Sequence, residues 1–172
     1  RYMKKNIAIL IPQLGGGGAE RVASNLSLYL SDDKYNKYII VNDDERLDYP
    51  YKGHLISLKT KATKNIFGKI INLVKRIFKL KRIKKKYKID TTISFLSGPN
   101  INNILSREND KIIISVRNFI SKEAKGFYGA IFKLSIKYLY NKADKVVVVS
   151  NAIKDDLVKN FGLEEKKNYS YI

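Results

Sequence analysis

The chain has 172 residues, 44% of them hydrophobic, which predicts one globular domain with a sizeable core. It contains no cysteine and one histidine, which excludes disulfides, thiolate metal sites and histidine metal clusters. The formal net charge is +18, and the region 49–89 has no Asp or Glu while it carries 14 of the 34 Lys and Arg residues. This local asymmetry indicates an anionic partner.

Short apolar runs alternate with longer helical patterns along the chain. The predicted strands are Asn6–Ile11, Tyr38–Val41, His54–Leu58, Thr91–Phe95, Lys111–Val116 and Lys145–Val149. The predicted helices are Gly18–Leu30, Ile66–Lys86, Asn100–Ser106, Phe127–Asn141 and Asn151–Asn160. Several strands are continuous apolar runs, which is typical of strands buried on both faces. The alternation predicts an α/β fold, a Rossmann-like open and mainly parallel sheet with helices on both faces.

Four consecutive glycines, residues 15–18, separate the first strand from the first helix. Bare backbone and a helix start favour a phosphate or a sugar oxygen as ligand. The dinucleotide fingerprint would place its third glycine at Glu20 or Arg21, and no Gly-Lys-Ser/Thr follows, so both common nucleotide loops are disfavoured. Asp43 and Asp44 could still bind a ribose, so an NAD- or nucleotide-dependent enzyme stays a rival hypothesis. A plain flexible turn is the structural alternative.

The loops after the strands form the predicted site, because ligands of such sheets bind at the carboxyl ends of strands. Arg117 ends an apolar strand, where a cation needs water or an anion nearby. Ser150 is predicted mainly to cap the last helix, and His54 to be a strand-edge residue. The predicted substrate-binding residues are Gly16, Gly17, Gly18, Glu20, Arg21, Arg117 and Asn118.

The segment Ile66–Lys88 is predicted to be an amphipathic helix that ends in a basic cluster. Its apolar half is expected to pack partly on the sheet, but a core does not explain the absence of acids. A basic amphipathic surface suits an anionic membrane or a lipid-linked pyrophosphate. The predicted membrane- or anion-binding residues are Lys69, Lys75, Arg76, Lys79, Arg82 and Lys85.

Three segments carry a resemblance to a known family. Leu14–Val22, which reads L-G-G-G-G-A-E-R-V, resembles the N-terminal signature of family 4 glycosyltransferases with the GT-B fold. Ile114–Asn118 is similar to the S-x-R-N segment of polysaccharide and lipid-linked oligosaccharide transferases. Ala143–Ser150 is similar to the strand and serine that close the first domain of that family. The segments occur in the family's order and span nearly the whole chain.

The resemblance implies one half of a two-domain GT-B enzyme that retains anomeric configuration. In that family the first domain binds the acceptor, and the second binds the nucleotide sugar and carries an E-x7-E motif. Here Glu164 and Glu165 are adjacent, so that motif is missing. We therefore expect residues 1–172 to be a single N-terminal, acceptor-side domain that lacks the donor-binding domain and is inactive alone. The catalytic residues are expected mainly in the missing domain.

The resemblance also implies the substrates. The full-length protein is expected to be a bacterial, hexosyltransferase-type enzyme of cell-envelope polysaccharide synthesis. It would take a UDP- or GDP-sugar, need no cofactor or metal, and act on a lipid-linked or glycan acceptor. The sequence shows no signal peptide and no apolar run of the ~20 residues that cross a bilayer, so we expect a cytoplasmic protein, peripheral on the inner face of the membrane. The alternative is a non-enzymatic basic module that binds anionic membrane or nucleic acid. Nucleic acid is disfavoured, because no helix-turn-helix or stacking motif is visible.

Overall fold

A computed structural model describes residues 3–123, 126–165 and 169–171. Within them, seven strands form one sheet in the order β3-β2-β1-β4-β5-β6-β7, and all neighbouring strands are parallel. The strands are β1 (Lys5–Ile11), β2 (Tyr35–Val41), β3 (His54–Ser57), β4 (Thr91–Phe95), β5 (Lys111–Val116), β6 (Lys145–Val148) and β7 (Tyr169–Tyr171). The predicted parallel α/β sheet is confirmed, and β7 is a strand that the sequence analysis missed.

All five predicted helices are present, together with one short helix that was not predicted. They are α1 (Gly18–Tyr29), α2 (Ile66–Lys86), α3 (Ser97–Leu105), α4 (Ile120–Glu123), α5 (Gly126–Leu139) and α6 (Asn151–Phe161), with a 3-10 turn at Tyr140–Lys142 after α5. Helix α3 begins three residues earlier than predicted. Leu96 precedes it with φ +73°, so the chain turns from β4 directly into the helix.

The side chains of β1 alternate between two apolar clusters, one on each face of the sheet. Ile7 and Ile9 pack against α1, whereas Ala8 and Leu10 pack with Leu80 of α2. On the α2 face, a third cluster joins β5 and β6 to α3, α5 and α6. Right-handed crossovers explain which face each helix covers. Connections that move along the sheet toward β7 place their helices on one face, and the connection from β1 to β2, which moves the opposite way, places α1 on the other face.

Among the described residues, α1 is the only helix on its face of the sheet, and a groove of ≈ 660 Å³ lies between α1 and strands β4 to β6. Ile93, Ile113 and Val147 form its apolar floor. Ser115 lies on the same floor, and its buried hydroxyl has no hydrogen-bond partner within the described part of the chain. Parallel sheets are normally covered on both faces, so this region is an incompletely covered surface.

A buried ion pair fixes the C-terminal half of α2 to the sheet. The Nζ atom of Lys84 lies 2.8 Å from Oδ2 of Asp110, and both side chains are 0% exposed. The hydroxyl of Thr92 donates to the same carboxylate oxygen at 2.6 Å, and the Lys84 ammonium donates to the side-chain oxygen of Asn103 at 3.0 Å. Burial lowers the pKa of Lys84, and the Asp110 carboxylate opposes that shift. The network holds α2, α3 and β4 in one fixed arrangement.

Candidate functional site

The carboxyl ends of β1, β4 and β5 lie side by side at one edge of the sheet, the carboxyl rim. The glycine loop, residues 15–18, leaves β1 at this rim and enters α1 at Gly18. Gly16 has φ +92°, a conformation that strains any residue with a side chain. Gly17 is the N-cap residue and makes no side-chain capping bond. The first N–H groups of α1 therefore have no side-chain cap and can bind oxygen atoms of a ligand.

A segment that the sequence analysis did not single out, residues 46–52, runs beside α1 and reaches the glycine loop. We call it the strap. The N–H of Leu14 donates to the Arg46 carbonyl at 3.1 Å, and the N–H of Tyr49 donates to the Leu14 carbonyl at 2.8 Å. These two bonds fix the Arg46–Tyr49 part of the strap against Leu14, where the chain enters the glycine loop.

The strap places an ion pair directly on the glycine loop. A Cβ atom added to Gly16 would lie 3.2 Å from Nη1 of Arg46, and one added to Gly15 would lie 2.9 Å from Cγ of Asp48. The two side chains bind each other, with Nη2 of Arg46 2.7 Å from Oδ2 of Asp48. Glycine at both positions thus makes room for the pair. No local signal could have found it, because it depends on a contact between segments some thirty positions apart.

The predicted residues Glu20 and Arg21 both lie at the glycine loop but point to different neighbours. The carboxylate of Glu20 folds back over Gly17, where a Cβ would lie 3.1 Å from its Cδ. The guanidinium of Arg21 lies over the ring of Tyr49, 5.6 Å from its centre. Glu20 therefore borders the exposed helix start, and Arg21 helps to hold the strap.

Arg117 and Asn118 follow β5 and line a small cleft with Ser97 and Glu123. The cleft has a volume of ≈ 10 Å³, which admits about one water, so any larger ligand must lie outside it. The Nη1 atom of Arg117 is buried and has no hydrogen-bond partner among the described residues. The Ser97 hydroxyl donates to the Glu123 carboxylate at 2.9 Å. Arg117 is thus a cation with unused hydrogen-bonding capacity at the rim.

The sheet order fixes how far these predicted residues lie from one another. Strand β4 separates β1 from β5, which puts the carboxyl ends of β1 and β5 about 10 Å apart at neighbouring-strand spacing. Asn42, which follows β2 and is 8% exposed, has a buried side-chain oxygen without a partner within the described ranges. Unused polar atoms therefore follow two strands of the same rim.

Three further residues named in the sequence analysis, Ser150, His54 and Asp44, have positions or partners that need no ligand to explain them. The hydroxyl of Ser150 accepts a bond from the N–H of Ile153 at 3.3 Å, so Ser150 caps α6 as predicted. His54 begins the edge strand β3 and is exposed, also as predicted. Hydrogen bonds from the Lys59 ammonium, 2.8 Å away, hold the pKa of Asp44 below its ordinary value and occupy the carboxylate that could have bound a ribose. No group of His, Asp or Glu able to hold a metal occurs in the described part of the chain.

Helix α2 exposes apolar residues along one side, which the helical wheel alone did not predict. The exposed fractions are 72% for Phe67, 53% for Ile70, 53% for Ile71, 45% for Val74 and 69% for Phe78. Four of these recur at i, i+4, i+7 and i+11 and form what we call the exposed stripe: Phe67, Ile71, Val74 and Phe78. Leu80, two residues after Phe78 and so on the opposite side of the helix, is fully buried against the sheet. The apolar residues of α2 that pack on the sheet, as expected, thus lie mainly on the side opposite the stripe and in the C-terminal half of the helix.

The predicted basic residues of α2 separate into two groups. Arg76 donates to the Thr60 hydroxyl at 2.8 Å, and Lys79 donates to the Leu58 carbonyl at 2.5 Å, so both bind the chain that leaves β3. Lys69, Lys75, Arg82 and Lys85 are exposed, and Lys85 lies 3.6 Å from Glu108. Lys75, Arg82 and Lys85 line a shallow groove with Val74 and Phe78. The exposed stripe is therefore bordered by cations.

Among the helices described, none is long and apolar enough to span a bilayer.

The model of Glycosyltransferase Family 4 matches residues 16–169, and the chain belongs to that family. Its sheet and helices form one Rossmann-like half of a GT-B fold. The sucrose-phosphate synthase of Thermosynechococcus elongatus superposes with a TM-score of 0.74 at 12% identity, covering 98% of this chain and 48% of that one. A glycosyltransferase from Rickettsia africae superposes with a TM-score of 0.69 at 24% identity, covering 99% of this chain and 43% of that one.

A curated relative also matches along nearly the full length of this chain. It is the N-acetylgalactosamine-N,N'-diacetylbacillosaminyl-diphospho-undecaprenol 4-alpha-N-acetylgalactosaminyltransferase of Campylobacter jejuni, 29% identical over 169 residues. The match covers 95% of this chain and 46% of the relative. The chain thus spans less than half the length of these relatives.

Proposed function

We propose that the full-length protein transfers a hexose-type sugar from a UDP- or GDP-sugar to a lipid-linked acceptor, with retention of anomeric configuration. Residues 1–172 form its acceptor-side domain, and the donor-binding domain lies outside them. Family membership supports sugar transfer, and the Campylobacter relative acts, by its name, on a diphospho-undecaprenol acceptor. The transfer needs no metal or cofactor, and residues 1–172 are inactive alone.

The carboxyl rim supplies the groups that orient the substrates. The first N–H groups of α1, bare at Gly17 and Gly18, donate to oxygen atoms of the bound substrate. Arg117 uses its unpaired Nη1 to bind a phosphate or hydroxyl oxygen, and Asn118 extends from the same strand end. Glu20 accepts a hydrogen bond from a sugar hydroxyl. Binding at preset positions lowers the entropic cost of bringing acceptor and donor together.

The observation that carries the lipid-linked acceptor is the exposed stripe of α2. Phe67 and Phe78 would be costly to leave in water. Lys75 and Arg82 line one shallow groove with Phe78. An apolar face with a cationic border suits an anionic bilayer surface, where each basic residue contributes roughly 1 kcal/mol. The protein is therefore proposed to act as a peripheral protein on the inner face of the membrane.

A transfer assay on the full-length protein tests this proposal. The protein, in anionic vesicles that contain an undecaprenyl-diphosphate-linked sugar acceptor, is given UDP- and GDP-sugars one at a time. Mass spectrometry should show one added hexose-type residue, and NMR should show the donor's anomeric configuration in the product. Arg117→Gln should lower kcat/KM by about 100-fold or more if a buried charged contact is lost. The matched control is Arg107→Gln at the opposite end of α3, and the isolated 172-residue chain should give no product.

A second candidate is a non-enzymatic basic module. The net charge of +18 favours it, because charge alone suits binding to anionic lipid or to nucleic acid. Vesicle binding by the full-length protein without transfer from any sugar nucleotide would support the module and contradict the transferase. Transfer to a water-soluble glycan in preference to the lipid-linked one would retain the enzyme and contradict the membrane acceptor.

A further inference from the structure

The ion pair on the glycine loop is the feature of the rim that the proposed function does not use. We infer that Arg46 and Asp48 together recognise hydroxyl groups of a substrate sugar and are specificity-determining residues at the glycine loop. This inference rests on the proposed sugar transfer. The shared chemistry is a pair of neighbouring hydroxyls, which either the donor sugar or the acceptor sugar can supply.

The strap holds the pair in place from its backbone. Besides the two bonds to Leu14, the hydroxyl of Ser24 on α1 donates to the Pro50 carbonyl at 2.5 Å, and the N–H of Lys52 donates to the Ser27 hydroxyl at 3.1 Å. The strap is thus bonded at one end to the chain that enters the glycine loop and at the other to two successive turns of α1. A backbone fixed in this way presents its side chains at a preset position, which a specific site requires.

Contact with the loop shows where the pair acts. The guanidinium of Arg46 lies over Gly16, with Nη1 and Nη2 at 3.2 and 3.3 Å from the position a Cβ would take. Asp48 occupies the corresponding position at Gly15. Both side chains are about half exposed, 56% and 53%, so they border the loop and remain accessible to a ligand.

The charge balance favours hydroxyls over a phosphate. Three charged side chains border the loop, one basic (Arg46) and two acidic (Glu20 and Asp48), while Arg21 lies over Tyr49 of the strap. A dianionic phosphate would meet two carboxylates there, and like charges at such distances repel. A hydroxyl both donates and accepts, so a guanidinium beside a carboxylate can bind two neighbouring hydroxyls at once. Hydrogen bonds to charged groups are also stronger than neutral ones.

The test measures sugar and phosphate binding separately in the full-length protein. Calorimetry gives the Kd of UDP alone and of UDP-N-acetylgalactosamine or UDP-glucose, and kinetics give the KM of the lipid-linked acceptor. The variants are Arg46→Lys, which keeps the charge but loses the planar fork, and Asp48→Asn. The matched control is Arg107→Lys, which alters a second exposed pair, Arg107–Asp144, with Nη1 3.0 Å from Oδ2.

Both variants should weaken sugar recognition about ten-fold or more, as for a lost charged hydrogen bond, while the Kd of UDP stays unchanged. A rise in the Kd of the UDP-sugar assigns the pair to the donor sugar, and a rise in acceptor KM assigns it to the acceptor sugar. Equal weakening of UDP and UDP-sugar would overturn the inference in favour of a phosphate contact. Unchanged sugar binding and unchanged acceptor KM in an active enzyme would overturn the inference and leave Arg46–Asp48 as an ordinary surface ion pair. A wild-type protein that neither binds nor transfers from any UDP-sugar or GDP-sugar overturns the proposed function as well.

Discussion

Replacing Phe67 and Phe78 by serine should release the protein from anionic vesicles. Fully burying a phenylalanine side chain stabilises by roughly 1.5–3 kcal/mol. These two side chains are 72% and 69% exposed, so insertion of the exposed part contributes about 1–2 kcal/mol each. The double variant should therefore bind about 30- to 900-fold more weakly. Because both side chains face water in the structure, their replacement should leave the unfolding midpoint nearly unchanged.

Co-sedimentation with vesicles of about one-third anionic lipid, at several salt concentrations, measures this loss. Tyr29→Ser is the matched control, since Tyr29 is 83% exposed and lies on α1 at the other face of the sheet. Lys75→Gln and Arg82→Gln should each weaken binding about five-fold, an effect that high salt removes. Binding of the double serine variant within about three-fold of wild type would refute the assignment of the stripe to the bilayer.

Three further predictions concern the stability of the domain. Lys84→Met leaves the Asp110 carboxylate buried without its cation and should lower the free energy of unfolding in urea by about 3–5 kcal/mol; a loss below 1 kcal/mol would contradict the buried pair. Gly16→Ala, at φ +92°, should destabilise by about 1–2 kcal/mol in thermal unfolding, whereas Gly18→Ala, which meets no atom within 4 Å, should have little effect. Burial alone would raise the pKa of Asp156, but hydrogen bonds from α4 and its own helix outweigh burial and lower it. The stability that this carboxylate contributes is present at neutral pH and is lost as the pH falls through its lowered pKa. Asp156→Asn should therefore make unfolding less sensitive to pH in the acid range, and an unchanged pH profile would argue against these bonds.

The sequence predicts the sheet well because its strands are buried. Continuous apolar runs such as Lys145–Val149 are a strong signal, and the observed strand ends one residue earlier, at Val148. Strand β7 was missed because Tyr169–Tyr171 has three residues and no apolar run. Helix α4 was missed for a similar reason: its four residues are too few for periodicity to identify.

The sequence could place candidate residues only where they follow strands directly. The glycine loop and Arg117 lie at one rim as expected, because strand order alone brings them there, and their role in substrate binding stays a prediction. The position of Arg46 beside the loop could not be predicted, since it depends on backbone pairing between distant segments. The sequence also could not predict that Arg76 is bound within the domain while Lys75 stays exposed. That difference arises because the Thr60 hydroxyl accepts a hydrogen bond from Arg76 only.

The direction of α2 sets how the domain would sit on a bilayer. The helix leaves the carboxyl rim and returns to the opposite edge, so it runs antiparallel to the strands over about 31 Å. With the exposed stripe lying in the headgroup layer, the strands lie roughly flat along the bilayer and the rim opens sideways. Under the proposed function, a lipid-linked acceptor would approach the rim by lateral diffusion within its leaflet. The bilayer surface would then border the rim on the side of the sheet that α2 covers.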